Sequence, residues 1–218
     1  QHADMHPEHA DLAARMESYE LAYRMQTEVP DVIDLKKEPE HIREMYGMND
    51  KDTEVFGRQC LMARRLIEEG TRFVQIFSGG WDSHDYLEEG HTSRIRSVDR
   101  GMAALIKDLK QRGMLDDTLV TNLAEFGRTP KINGSLGRDH FANAWSCTLS
   151  GCGIRGGTVF GKTDPDGQTV TEGEMNAGDL FATIFSALDI SPDKEYMVGS
   201  RPIPIADFGS EPCTEVLS

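Results

Sequence analysis

The stretch FVQIFSGGWDSHDYLEEGH, residues 73–91, places several side chains that could bind a metal ion directly after a short apolar run. Asp82 and His84 lie two residues apart on an apparently irregular loop, so both side chains can turn toward one cation. A carboxylate and a neutral imidazole suit zinc, manganese or iron. The alternative is a surface loop whose aspartate caps a turn, because short motifs often match by chance. Asp85 and His91 are weaker candidates, since they precede a predicted helix that they could cap.

A second group of candidate ligands follows the apolar segment TLVTNLA. Glu125 comes directly after this segment, just as Asp82 follows the first apolar run, and Asp139 and His140 end the loop that begins there. Carboxylates that cluster without a cation would repel one another, so their clustering favours a metal. We therefore predict a site for one divalent ion or a shared pair, with zinc as the first choice and manganese, iron or calcium as alternatives. The predicted ligands are Asp82, His84, Glu125, His140 and Asp139, the last as a ligand or as a support to one.

Two arginines, Arg128 and Arg138, flank the second group. The planar guanidinium fits phosphate or sulfate oxygens, so an anionic substrate could bind there. Ion pairs with the acidic ligands explain these arginines equally well, since such pairs are common at sites of this kind. We take Arg128 as the predicted catalytic residue, which would bind a small anionic ester.

The elements that position the two loops follow a strand, helix, strand pattern. Residues 71–77 are almost continuously apolar, which predicts a strand buried on both faces. A helix is expected to begin at Thr92 or Ser93 and to end at Gly113, and residues 117–124 predict the next strand. Such a unit favours parallel strands, whose carboxyl ends meet at one edge of a sheet. The predicted fold class is therefore α/β, with a parallel-rich central sheet flanked by helices.

Further helices are predicted on either side of this unit. Apolar residues recur at helical spacing before Pro30, which is expected to end the first helix. Another helix is expected to be capped by Asp52 or Thr53 and to end at Gly70, and Asn176 is expected to cap the last one. We predict a single α/β domain over residues 1–218. Residues 1–70 form its helical lead-in, and residues 71–218 form the sheet core with the metal-site loops.

The composition excludes several classes of partner. The 218 residues carry a formal net charge of −14, with a pI near 4.9, which argues against a nucleic-acid partner. No apolar run approaches the roughly 20 residues that span a bilayer. The four cysteines are irregularly spaced and not at zinc-finger spacing, so buried thiols are expected, with a disulfide as the alternative.

The motifs GGWDSH, AEFGRTP and GRDH, in this order, resemble an uncharacterised sulfatase-like family of the alkaline-phosphatase superfamily, domain of unknown function fifteen-oh-one. The resemblance covers nearly the whole chain. It implies part of an alkaline-phosphatase-like α/β fold, a metal-dependent hydrolase site for phosphate or sulfate esters, and export. It also implies that the chain is the C-terminal portion of a longer protein, whose preceding part would hold the nucleophile and a twin-arginine signal. A sheet without its first strands would expose an edge and invite association.

Matched residue by residue, Asp82 and His84 resemble the first ligand pair of that superfamily, and His140 resembles its last histidine ligand. Glu125 stands where an aspartate ligand is expected. Phe126 stands where a histidine is expected, and it cannot bind metal, which departs from a two-metal site. This departure leaves a different class open, a non-catalytic exported protein that keeps the fold for binding or surface assembly. A mutase or phosphotransferase on the same scaffold is a third alternative.

Overall fold

Helices dominate the structure, a computed structural model that describes residues 10–218. The helices are α1 (Ala10–Ile33), α2 (Glu40–Met45), α3 (Glu54–Glu68), α4 (Leu87–Gln111) and α5 (Ala177–Ala187), with short 3-10 helices at Leu35–Lys37 and Leu115–Asp117. The strands are β1 (Leu119–Asn122), β2 (Gly127–Arg128), β3 (His140–Phe141), β4 (Thr148–Gly151), β5 (Lys162–Thr163), β6 (Val170–Glu172), β7 (Glu195–Val198) and β8 (Arg201–Pro204). The first nine residues of the helix predicted before Pro30 lie outside the described residues.

The main hydrophobic core lies among the helices. It joins α2, α3 and α4 to the 3-10 helix at Leu35–Lys37, and its buried members are Leu35, Ile42, Tyr46, Cys60, Leu61 and Ala104. A charged group lies beside this core, where Arg64 and Asp108 are only 1% and 2% exposed. Their side chains pair at 3.0 Å between Nε and Oδ2, and burial without such a pair would be costly. The cysteines are free thiols, as expected, and two of them are buried.

Capping explains where several helices begin and end. In α5 the Asn176 side chain accepts a hydrogen bond from the backbone of Asp179, whose carboxylate accepts one from Asn176 in return, which confirms the predicted cap. The prediction that Pro30 ends the first helix is wrong, because α1 continues to Ile33. Arg65 donates to the backbone carbonyl of Val32, which is buried, and so satisfies the end of this helix.

The predicted parallel sheet is wrong. Within residues 10–218, the strands form four separate two-stranded antiparallel sheets, β1 with β4, β2 with β3, β5 with β6 and β7 with β8. Strand β1 does form within the predicted residues 117–124, but its partner is the later segment β4, which runs back alongside it. An apolar pattern indicates that a segment is buried, whereas the partner and direction of a strand depend on segments that are distant in sequence.

The first apolar run, residues 73–77, is not a strand. Val74 and Ile76 are half-buried, and Ile76 packs against the helical core. Phe73 and Phe77 are each 78% exposed, so the expectation of two buried faces was wrong. Helix α4 also begins earlier than predicted, at Leu87, and therefore contains His91. Among the described residues, no helix is long and apolar enough to cross a bilayer.

Candidate metal centre

Backbone hydrogen bonds join the two loops predicted to carry the site. Arg138 donates its N–H to the carbonyl of Ser83 at 3.0 Å, and Leu87 donates to the carbonyl of Leu136 at 2.9 Å. Asp85 and Leu136 also form an isolated antiparallel bridge. These contacts lie immediately beside the predicted ligands of both loops. The loops therefore meet as the sequence predicts, although hydrogen bonds between loops, rather than parallel strands, bring them together.

Gly137 allows the close approach of the two loops. It is buried, and a side-chain carbon added at this position would lie 2.0 Å from the carbonyl carbon of His84 and 2.4 Å from the backbone nitrogen of Asp85. No real side chain fits at such distances, so only glycine is compatible with this contact. By contrast, the same addition at Gly134 meets no atom within 4 Å.

The second loop is a hairpin whose strands place its ligand. In the antiparallel pair β2–β3, Arg128 lies opposite His140. The next residue pair continues the contact, because Thr129 donates its N–H to the Asp139 carbonyl at 2.9 Å and accepts from the Asp139 N–H through its hydroxyl at 3.1 Å. The hairpin thus fixes the position of His140, in β3, and of Asp139, which directly precedes β3.

Three predicted ligands converge in space: Asp82, His84 and His140. Asp82 Oδ1 lies 3.0 Å from His84 Nε2 and 2.9 Å from His140 Nε2, and the two ring nitrogens are 3.2 Å apart. All three side chains are exposed, so the cluster opens directly to solvent. The arrangement presents one carboxylate oxygen and two imidazole nitrogens toward a common point.

The proton balance of this cluster calls for a positive charge. His84 Nδ1 lies 2.9 Å from Asp139 Oδ1, and a carboxylate can only accept, so Nδ1 carries the proton. In a neutral His84 ring, Nε2 then presents a lone pair to Asp82 Oδ1, which is also an acceptor. Two acceptors at this distance repel each other unless a proton or a metal cation lies between them. Either a proton on His84 Nε2 or a metal cation would satisfy both groups.

The pKa values agree with this electrostatic picture. A hydrogen bond from Arg128, followed by one from His140, lowers the pKa of Asp82 to about 2. The hydrogen bond to Asp139 raises the pKa of His84 above its ordinary value. The pKa of Asp139 is lowered in turn, first by His84 and then by a hydrogen bond from Asn133. Both carboxylates are therefore ionised near neutral pH.

Arg128 and Glu125 lie at the edge of the cluster. Arg128 Nη1 donates to Asp82 Oδ1, and its Nη2 lies 3.5 Å from Glu125 Oε1. The guanidinium also lies 5.4 Å from the centre of the Phe126 ring, within range of a cation–π interaction. Glu125 is thus a partner of Arg128 and is not part of the three-ligand group. The pairing of Arg128 with Asp82 and Glu125 agrees with the second interpretation of the sequence, in which the arginines form ion pairs with acidic residues.

The donor set fits a divalent transition metal. Bonds of about 2.1 Å would separate ligand atoms by about 3.0 Å at the right angles of an octahedral ion and by about 3.4 Å at the tetrahedral angles that zinc prefers. The three distances here, between 2.9 and 3.2 Å, match the octahedral spacing and would widen slightly around a tetrahedral zinc ion. Two imidazoles and one carboxylate suit zinc, iron or manganese, whereas calcium takes oxygen ligands. Asp139 behind His84 is the carboxylate partner that metal-binding histidines commonly have.

Sequence reasoning missed the structural roles of two residues near the ligands, Phe126 and Asn133. Phe126 contacts the His140 ring, with centroids 4.5 Å apart, and so acts as a wall of the site. Asn133 donates a hydrogen bond to Asp139. The only sequence signal for Asn133 is the Asn-Gly pair it begins, which predicts a turn and not a role in a site. Among the weaker candidates, His91 contacts Trp81 instead. Its Nε2 lies 3.1 Å from the backbone carbonyl oxygen of Trp81, and the two rings meet edge to face.

Comparison with known families gives one match. The family model described as a protein of unknown function (DUF1501) matches residues 1–217. No curated protein and no solved structure matches the chain.

Proposed function

The chain belongs to the DUF1501 family of proteins of unknown function, and from this premise we propose that it forms the metal-binding part of a sulfatase-like hydrolase of the alkaline-phosphatase superfamily. The substrate would be a small phosphate or sulfate ester, cleaved by water. One observation carries the proposal: Asp82 Oδ1, His84 Nε2 and His140 Nε2 converge within hydrogen-bonding distance of one another.

The residues of the cluster have distinct roles in this proposal. Asp82, His84 and His140 would hold the ion, and Asp139 keeps His84 turned so that Nε2 faces it. When bound, a divalent metal polarises a phosphoryl or sulfuryl oxygen and so assists nucleophilic attack. Arg128 would bind the ester oxygens through its guanidinium fork. The Arg128 side chain as a whole is only 19% exposed. Its longer contact, to Glu125 at 3.5 Å, is the one that a substrate oxygen would replace most readily.

Export and association through an exposed surface are part of the same proposal. The resemblance of the three motifs to a family of exported proteins supports export. Phe73 and Phe77, each 78% exposed and four residues apart, are the large apolar side chains on which an association surface would rest. A non-catalytic exported protein is the second candidate function, and Phe126 favours it, because it packs on His140 where a further ligand would be needed for two metals.

Metal content tests the proposal directly. The full-length protein, purified and incubated with zinc, manganese or iron, should retain about one equivalent by plasma mass spectrometry, since three ligands serve one ion. Asp82→Ala and His140→Ala should each remove most of it. His91→Ala is the matched control, because His91 lies nearby but contacts Trp81 instead of the cluster. Folding of each variant is checked by circular dichroism.

Ester hydrolysis separates the two candidate functions. Nitrophenyl phosphate and nitrophenyl sulfate serve as probes with the metal-loaded full-length protein. Hydrolysis that is lost in His140→Ala and weakened in Arg128→Lys supports the hydrolase, because lysine cannot reproduce the planar fork. Metal binding without hydrolysis favours the binding protein. A folded protein that takes up none of these ions would overturn the metal site itself.

A further inference from the structure

Asn133 uses every hydrogen-bonding group of its side chain between the two loops. Its Nδ2 donates to the backbone carbonyl of His84 at 3.0 Å and to Asp139 Oδ1 at 3.2 Å. Its Oδ1 accepts from the backbone N–H groups of Ser135 at 2.9 Å and Gly137 at 3.0 Å. An amide offers two donors and an oxygen with two lone pairs, so its capacity is fully used.

The orientation of this amide is fixed by its neighbours. The N–H groups of Ser135 and Gly137 can only donate, so the amide oxygen must face them. The amide nitrogen then faces the His84 carbonyl and the Asp139 carboxylate, which can only accept. An aspartate at this position would keep the contacts to the turn but lose both donors, and it would place a second negative charge beside Asp139.

Asp139 Oδ1 is the atom at which this bond acts on the site. The same oxygen that receives Asn133 Nδ2 also accepts from His84 Nδ1 at 2.9 Å. Asn133 therefore binds the Asp139 carboxylate and the backbone carbonyl of His84 at the same time, and so fixes the distance between these two groups. With Nδ1 protonated by this contact, Nε2 is left to bind the ion.

We propose that Asn133 is the positioning residue of the metal centre, which acts through Asp139 to fix the ring orientation and tautomer of His84. The inference rests on the proposed function, in that it supposes that His84 binds a metal. It assigns Asn133 no contact with metal or substrate. Its loss should cost about 10–100-fold in metal affinity, the usual effect of removing a partner that orients a ligand.

A double-mutant cycle in the full-length protein tests this role, with zinc affinity measured by competition against a chelating dye. Asn133→Asp should weaken zinc binding by about 10–100-fold, although it keeps the acceptor that forms the turn. In an Asp139→Ala background the same change should cost at most a few-fold, because the residue through which Asn133 acts is already gone. Ser135→Asp adds the same charge nearby as a control, and exposed Asn49→Ala controls for loss of an amide.

Nitrogen NMR of the His84 ring in the metal-free protein gives a second readout that does not depend on metal binding. At alkaline pH, the unsubstituted protein should show the Nδ1–H tautomer, and Asn133→Asp and Asn133→Ala should show a mixture with the Nε2–H form. Equal losses of zinc affinity in both backgrounds, or an unchanged tautomer in both variants, would overturn the role of Asn133. Absence of zinc, manganese and iron binding in the unsubstituted protein would refute the proposed function, and the tautomer would still decide the role of Asn133.

Discussion

A single carboxylate oxygen, Oδ1 of Asp82, is the centre of the site. Arg128 and His140 both direct hydrogen-bonding groups to it, and His84 lies 3.0 Å away. These neighbours lower the pKa of Asp82 to about 2, so the carboxylate is ionised near neutral pH. Protonation of His84, and not of Asp82, should therefore govern how metal binding depends on pH near neutrality.

The raised pKa of His84 gives a pH prediction with a definite sign. Its hydrogen bond to Asp139 stabilises the protonated ring, so this contribution to stability is present below the ordinary value of 6.5 and is lost as pH rises through the higher folded value. Metal binding needs the neutral ring, so metal affinity should keep rising with pH beyond 6.5.

Asp139→Asn tests the cause of that shift. The change replaces the charged acceptor of His84 Nδ1 by a neutral amide oxygen and so weakens the leading cause of the raised His84 pKa. The midpoint of the affinity–pH curve should therefore move to lower pH, even though the maximal affinity falls. Calorimetric zinc titrations at several pH values would measure the midpoint. A midpoint that stays in place in Asp139→Asn would show that Asp139 does not control His84.

Residue types and spacing predicted part of this site and could not predict the rest. Asp82, His84 and His140 were identified because carboxylate and imidazole groups follow apolar runs, and the structure brings these three together. The position of Asp139 behind His84 depends on which ring nitrogen faces which carboxylate, and a sequence does not contain that information. Glu125 was a plausible ligand by position alone, but it pairs with Arg128 in three dimensions.

At the scale of elements, the site depends on contact between a loop and a hairpin. The first apolar run was predicted as a strand from its composition, but composition cannot supply a neighbouring strand, and residues 73–77 have none. Helices were predicted more successfully, because the cap at Asn176 and the periodic stripe of α3 are local signals. The contact between loops was inferred from a parallel sheet, and residues 10–218 form none, so the correct conclusion had a wrong reason.

Substitution of Gly137 should separate the two halves of the site. Gly137→Ala would place a methyl group 2.0 Å from the His84 carbonyl carbon, so the loops must move apart and the three ligands can no longer meet. We expect metal affinity to fall by at least about 10-fold, in line with other losses of ligand positioning, and the thermal unfolding temperature to fall. Zinc titration and differential scanning calorimetry would measure both.

Gly134→Ala is the matched control for this prediction, because it adds the same methyl group to the same hairpin, where no atom lies within 4 Å. It should leave metal affinity unchanged. Equal affinities for the two alanine variants would contradict the view that close contact of the loops builds the site.

At the scale of the whole molecule, helix α4 links the exposed site to the buried core. Its first residue, Leu87, bonds to the second site loop, whereas Ala104 and Leu109 are buried among the helices. The ion pair of Arg64 and Asp108 lies beside this core. The proposed metal centre is therefore an open surface site held on a helical base, and the two parts should respond differently to mutation.

Breaking the buried ion pair should destabilise the helical base and leave the metal centre intact. Asp108 accepts from Tyr46 at 3.0 Å and from Arg112 at 2.9 Å and pairs with Arg64, so Asp108→Ala leaves a buried guanidinium without this partner. Arg64 keeps Glu38 and Glu68 as ion-pair partners, so its charge stays compensated. The free energy of unfolding should therefore fall by roughly 1–3 kcal/mol, the usual cost of leaving buried donors without an acceptor. Urea denaturation, followed by circular dichroism, would measure it.

The exposed ion pair of Arg96 and Asp52 is the control for the buried one. Its atoms are 3.5 Å apart and the Arg96 side chain is 65% exposed, so Arg96→Ala should change the free energy of unfolding by less than about 1 kcal/mol.

Below its unfolding temperature, Asp108→Ala should bind zinc as the unsubstituted protein does, because no ligand contacts the buried pair. If zinc affinity falls in step with stability across these variants, the site and the helical base form one cooperative unit through α4. If affinity is unchanged, the contacts between the loop and the hairpin suffice to hold the three ligands.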